Sequence, residues 1–465
     1  MIPISTEAGP QKRTAKGFHR TLLATILVLV LLAVTFVTLD YFQGPKLSSA
    51  SIDTTQAVSQ SGQQLRLFSN ENLADVPARN VHITPAVGHS VSTTGQIIAV
   101  VFTQRLRYAT TYTVRIDGVT SIYQNRPERF THTFTTAAAS VEYLDRADPK
   151  VGGDDRIVRT GLVGSASTVV YSAPKIEAFA TFPAATAVVT ADSDGTSSLS
   201  LVSEDRLKIE PLELPAAGMI RNLQASPDAG LLGFEFTSAD PTAGYHDTLL
   251  AVDLTGAHTI LPVLGVGGKP LEVDGWSFLS GSTKVVAHTV DNAVVVVDVT
   301  SPTSVTPLGQ FAKLDGGSPD GGSVVIADSL SRLVYRLADG TKTRLPVLEW
   351  GKQQTFGGGV VLLDGTSRIQ QVVVQNAGNY TSYIVAEKGK RVRIVYRNEV
   401  AGGAIDGFSV SPNGQYLAVT VDPNVSTSVS DGYAVDARPT SVTTYVVDIA
   451  TSSVLRSFAG FDVDW

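Results

Sequence analysis

Residues 405–465 open with Ile405-Asp406-Gly407-Phe408-Ser409-Val410-Ser411-Pro412-Asn413-Gly414 and close with Ala459-Gly460-Phe461-Asp462-Val463-Asp464-Trp465. Between these ends, β-branched and apolar residues alternate with polar ones over residues 407–410, 415–421, 442–449 and 454–458. That period of two, punctuated by Ser-Pro-Asn-Gly and Ala450-Thr451-Ser452-Ser453, predicts four antiparallel strands joined by a tight turn, a long polar loop and a second tight turn.

The same unit recurs upstream. Its first turn returns as Ser226-Pro227-Asp228, Ser280-Gly281 and Ser318-Pro319-Asp320-Gly321. Its third strand returns with a Val-Asp ending in Leu250-Ala251-Val252-Asp253 and Val296-Val297-Asp298. Further second strands are read at 141–144, 186–190, 324–327 and 359–363, which makes seven units and predicts a seven-bladed β-propeller over 140–465. The unit near Val141 lacks an innermost strand, whereas Phe461-Asp462-Val463-Asp464-Trp465 is a surplus strand similar to Val273-Asp274-Gly275-Trp276. Pairing the two closes the ring and removes an exposed sheet edge. These units resemble the WD40-like and TolB-like repeats of bacterial propellers, without a Gly-His/Trp-Asp signature.

Residues 46–137 carry a different pattern of short strands, at 64–68, 80–83, 97–102, 111–116 and 130–135, suited to one β-sandwich. The run Arg105-Leu106-Arg107-Tyr108-Ala109-Thr110-Thr111-Tyr112-Thr113-Val114-Arg115-Ile116, with Phe130-Thr131-His132-Thr133-Phe134 and Val81-His82-Ile83-Thr84-Pro85, resembles the bacterial immunoglobulin-like domains of surface-layer and other envelope proteins. The resemblance implies a spacer or an adhesion module. It departs from the family at residues 121–125.

The amino terminus adds an anchor. Residues 21–39 hold no charge, and 13 of them are Leu, Ile, Val or Phe. As a helix they span roughly 28 Å, close to the hydrocarbon thickness of a bilayer, with an insertion energy on the order of −4 to −8 kcal/mol. Lys12, Arg13, Lys16 and Arg20 precede them, so residues 1–20 are expected in the cytoplasm and Asp40 onward, beginning with a short linker, 40–45, outside. A cleaved signal peptide is the alternative, opposed by the length of the apolar run and the lack of a small-x-small site directly after Leu39. The expected fold class is therefore all-β with one transmembrane helix, an immunoglobulin-like sandwich and a propeller.

Composition narrows the chemistry. The chain has 465 residues and no cysteine, which removes disulfides, thiolate metal sites and a cysteine nucleophile. Residues 40–465 carry 32 basic against 42 acidic side chains, a net charge of −10 that argues against nucleic acid. There is no Gly-x-Ser-x-Gly, His-Glu-x-x-His or Walker sequence, and the seven His are scattered. Asp192-Ser193-Asp194-Gly195 starts like a calcium loop but has Ser203 where a bidentate Glu belongs. No catalytic residue, metal or cofactor is expected.

In a four-stranded blade the first and third connections share one face, and the second connections and blade-to-blade links share the other. The long loops, residues 146–155, 237–247 and 422–441, are all second connections, and rigidly mounted long loops are where binding resides. The candidate binding residues are their carboxylates, Asp148, Asp155, Asp240, Asp247, Asp422, Asp431 and Asp436, which could attract a basic partner; the competing account is that Asp builds turns. Asp192, Asp194, Asp291, Asp328 and Asp364 are read on the same loops. Lys388, Lys390, Arg391, Arg393 and Arg397 form either a strip for an anionic polymer or a charged outer edge strand. The expected function is a membrane-anchored, extracytoplasmic binding or scaffold protein for an envelope protein or surface glycan. The alternatives are a propeller-type hydrolase and a sensory or assembly subunit of an envelope complex.

Overall fold

A computed structural model describes residues 15–41, 44–164, 166–301, 304–328, 331–376, 378–398 and 402–465. Apart from the amino-terminal helix the chain is built from strands, and it separates into two compact units.

The expected membrane segment lies in the helix Ala15–Tyr41, and its described side chains, residues 20–35, are all exposed. Among the described residues no helix is long and apolar enough to cross a membrane. Lys12 and Arg13 of the expected basic cluster lie outside the described residues.

The first unit comprises its residues up to Ala57 together with Gly62–Gln104 and Thr111–Thr135. It contains two antiparallel sheets, one in the order Leu47–Ser51, Gln64–Ser69, Ile97–Phe102, His89–Thr94 and one in the order Val81–Thr84, Thr111–Val119, Glu128–Thr135. Alternation drives the pairing: Leu65 and Leu67, Ile98 and Val100, and Val114 and Ile116 are buried while their neighbours in sequence point outward. Leu47–Ser51 and His89–Thr94 are not expected from the pattern, because both are edge strands of Ser, Thr and Ala with few large apolar residues. These two sheets occupy the residues for which a single β-sandwich is expected.

The second unit contains seven four-stranded antiparallel sheets. Six are consecutive in sequence, beginning at Ile176–Thr181, Gly218–Ser226, Val273–Phe278, Lys313–Gly317, Gln354–Leu362 and Ala404–Val410. The remaining sheet runs Phe461–Asp464, Ser140–Asp145, Asp155–Gly161, Ser167–Ala173, so the last strand of the chain is innermost in the first blade. Phe461 pairs with Leu144 and Asp464 with Glu142. Each innermost strand named here contacts the next, from Phe461–Asp464 through Ile176–Thr181 to Ala404–Val410, which is the ring of a β-propeller. Apolar clusters fill the gaps between blades: Phe234, Phe236 and Leu250 of the third blade pack with Leu199 and Leu201 of the second.

Two expectations change. Residues 359–363 were expected as a second strand, yet Gly359–Leu362 ends the innermost strand Gln354–Leu362, and the second strand is Ser367–Asn376. The reason is Gly357-Gly358-Gly359, which breaks the apolar alternation inside one strand. In consequence Asp364 sits in the tight turn between them, on the opposite face from the long loops. The basic strip is placed as an outer edge: Arg391–Arg397 is the outermost strand of the sixth blade.

Candidate functional site at the ring seam

Every innermost strand carries a bulge of one residue. Pairing jumps between Ile176 and Ala178, Val273 and Gly275, Leu314 and Gly316, and Ile405 and Gly407, each opposite consecutive partners. The third, sixth and first blades do the same at Arg221/Gln224, Gly357/Val360 and Phe461/Asp464. A bulge leaves its extra residue out of the ladder and re-aims its side chain. In five blades the residue after the last paired one is acidic: Glu177, Asp274, Asp315, Asp406 and Asp462. Asn222 and Gly358 hold the other two positions.

At the seam of the seventh, first and second blades these carboxylates meet the long loops. Arg438, from the loop between Tyr416–Asp422 and Thr443–Asp448, reaches Asp406 Oδ2 at 2.5 Å, Asp436 Oδ2 at 2.9 Å and Asp462 Oδ1 at 3.6 Å. Burial opposes its charge, but those three carboxylates outweigh burial and raise the guanidinium pKa. Asp462 keeps 37% of its side-chain surface open. Crowding by protein, and then the charge of Asp436, push its carboxyl up to about 6, against the pull of Arg438 and Arg146.

Arg146 is the second hub. From the first blade's long loop it donates to Asp431 Oδ2 at 2.7 Å, to the carbonyls of Ile176 at 3.1 Å and Glu177 at 2.8 Å, and to the Asp436 carbonyl at 3.0 Å. Its guanidinium lies 3.7 Å from the centre of the Tyr433 ring and 4.9 Å from that of Phe461. Arg146 and Asp431 are both 3% exposed, so this is a buried ion pair in which all three guanidinium nitrogens donate a hydrogen bond. Tyr433 donates its hydroxyl to Asp155 Oδ2, and burial together with that carboxylate raises the phenol.

The seven candidate carboxylates therefore divide. Asp155, Asp431 and Asp436 converge at the seam. Asp155 also takes the amides of Ala147 and Ile176, and Asp431 those of Tyr433 and Arg438. Asp148 accepts the amide of Lys150 and builds its own turn. Asp240 caps a short 3-10 helix through Thr242, whose backbone and side-chain hydrogen bonds lower its pKa. Asp247 accepts from Thr237 Oγ1, and Asp422 takes the amide of Asn424. Asp192 and Asp194 likewise serve Ser198 and Thr196. Turn building accounts for these, and no group of His, Asp and Glu among the described residues could hold a metal ion.

Arg146, Arg438, Tyr433, Asp406 and Asp462 were absent from the sequence-based site. A signal for the carboxylates existed: an apolar residue, an acid and a small residue in Ile405-Asp406-Gly407, Val273-Asp274-Gly275, Leu314-Asp315-Gly316 and Ile176-Glu177-Ala178. No pattern marks the arginines. His288 is buried, with Nδ1 against Asp274 Oδ1 and Nε2 2.8 Å from the Phe311 carbonyl, so both ring nitrogens are engaged and neither is free to act as a base.

No protein family model matches this chain, and no curated protein does. Solved structures do. The β-propeller domain of the Trilobed protease from Pyrococcus furiosus is 10% identical over 74% of this chain and 91% of its own, with a TM-score of 0.42. TolB from Acinetobacter baumannii is 12% identical over 80% of this chain and 78% of its own, with a TM-score of 0.37. A puromycin-hydrolysing peptidase of Mycobacterium tuberculosis is 15% identical over 59% of this chain and 45% of its own, with a TM-score of 0.39. The propeller assignment rests on the ring of seven sheets itself.

Proposed function

We propose that this chain is a non-catalytic binding protein, held at a membrane by its amino-terminal apolar segment and offering the long-loop face of its propeller to another envelope protein. The observation that carries the reading is the set of apolar side chains left open on that face. At the seam, Arg146 and Arg438 engage Asp406, Asp431, Asp436 and Asp462, while Asp148 and Asp240 are spent on their own turns. Apolar side chains stand open on the same loops and blade links: Val151 is 83% exposed, Val266 70%, Tyr380 62% and Val425 54%, with Phe356 and Val429 also open. Apolar side chains exposed on long loops of a rigid scaffold favour a protein partner. The first unit then serves as a spacer.

The test is capture from solubilised membranes by the full-length chain beside its Val425→Asp/Val429→Asp variant. Both residues lie outside the Arg146 and Arg438 contacts, so the fold is expected to hold. A partner identified with the unchanged chain and lost with the variant supports the reading; equal capture by both, or capture of glycan alone, contradicts it.

A second reading, a hydrolase, has one observation in its favour. Asp462, with its carboxyl near 6, stands with Asp406 and Asp436 around Arg438, and a carboxylic acid poised near neutrality is what general acid catalysis uses. Hydrolysis of a polysaccharide or peptide that disappears in Asp462→Asn would establish it.

A further inference from the structure

The tight-turn end of the propeller is occupied. Two short segments, Val58–Ser61 and Arg105–Thr110, belong to the propeller unit by their contacts. Arg105 donates from one terminal nitrogen to the carbonyls of Pro412 at 3.1 Å and Pro319 at 3.5 Å, and from the other to Ser280 Oγ at 3.2 Å. Its Nε donates to the Ser59 carbonyl at 2.6 Å, and Gln60 Nε2 donates to Asp228 Oδ1 at 2.6 Å. Asp228, Ser280, Pro319 and Pro412 sit in the first turns of the third, fourth, fifth and seventh blades. Blades that are not neighbours come within reach of one side chain only around the central opening of a ring, so Arg105 stands across that opening.

The residues after Arg105 are fastened as well. Leu106 is fully buried and its carbonyl accepts from Asn413 Nδ2 at 2.9 Å. The Tyr108 amide donates to Gln415 Oε1 at 2.8 Å, and its ring stacks on Tyr416 with centroids 5.8 Å apart and planes 19° apart. Tyr416 stacks in turn with Trp465 at 6.3 Å. Turn carbonyls from separate blades suit a planar guanidinium, whose five donors spread in a fork; an ammonium, a point donor, cannot bridge them in the same way.

We propose that this end of the propeller is a peptide-docking site selective for an arginine followed three residues later by a tyrosine, filled in cis by Arg105–Thr110. The inference goes beyond the reading of the long-loop face, whose capture test does not touch these residues.

The experiment uses the full-length chain and a fluorescent peptide of residues 104–111. Arg105→Ala/Tyr108→Ala vacates the site. The vacated chain is expected to bind the peptide at least about tenfold more tightly than the unchanged chain. Substituting lysine for the peptide's arginine, or adding Asn413→Ala/Gln415→Ala to the vacated chain, is expected to cost about tenfold or more. Equal binding by vacated and unchanged chains, or indifference to the lysine peptide, overturns the proposal. Should the vacated chain fail to fold cooperatively, hydrogen exchange on the unchanged chain decides: the Tyr108 amide is expected to exchange at least about a hundredfold more slowly than in the free peptide, and exchange at the free rate overturns the proposal.

Discussion

Trp465 donates its indole N–H to Ser409 Oγ at 3.2 Å, tying the last residue of the chain to the innermost strand of the seventh blade. At the other end of the same short strand, Phe461 packs under Arg146. The strand that closes the ring is thus fastened at both faces of the propeller, and its long-loop end is where the charged hubs lie.

The buried pair at that end is expected to be costly to break. Asp431→Ala leaves the Arg146 guanidinium facing the Ile176, Glu177 and Asp436 carbonyls without its hydrogen-bonded carboxylate, at a cost of about 3–5 kcal/mol. Chemical denaturation of the variant against the unchanged chain measures it; a loss near zero would mean the pair is solvated.

Asp462 gives a pH dependence with a definite sign. Its folded carboxyl is pushed above the ordinary value of 3.8 to about 6, so between roughly pH 4 and 6 the folded chain binds more protons than the unfolded one. Stability from this group is therefore present at low pH and lost as pH rises through that window. Asp462→Asn is expected to raise the unfolding temperature at pH 7.5 and to flatten its fall between pH 4 and 6. Unfolding curves across that range would show the opposite, a lower temperature at pH 7.5, if the Arg438 pair dominated.

Between the third and fourth blades the packing is tight enough to require glycine. A methyl on Gly233 would sit 2.5 Å from Trp276 Cη2 and 3.3 Å from the Phe278 ring. Gly233→Ala is expected to destabilise by about 1–3 kcal/mol through overpacking, measurable by denaturant unfolding. Gly233→Ala with Trp276→Phe should recover part of the loss.

The blades were legible because their signal is local. Tyr416–Asp422 and Thr443–Asp448 are largely buried runs bounded by Ser-Pro-Asn-Gly and Thr-Ser-Ser, and the surplus strand Phe461–Asp464 stood out against a first blade that lacked one. What failed locally was the sixth blade, where Gly357-Gly358-Gly359 hides a bulge inside one strand, and the edge strands Leu47–Ser51 and His89–Thr94, which bury little. The long-loop carboxylates were half legible. Asp431 and Asp155 could be placed on the right loops, but their partners come from residues hundreds of positions away: Arg146 with Asp431, and Tyr433 with Asp155. Ring closure creates that proximity, and no spacing in the chain records it.

The ring, the seam and the loop face above it all depend on the pairing of Phe461 with Leu144 and Asp464 with Glu142. Removing residues 461–465 and following thermal unfolding by circular dichroism tests that pairing directly. The account predicts a fall of several degrees in the unfolding temperature and a broader transition, because the first blade loses its innermost strand and Arg146 its Phe461 contact. An unfolding temperature and cooperativity unchanged by the deletion would contradict closure of the ring by the carboxyl-terminal strand.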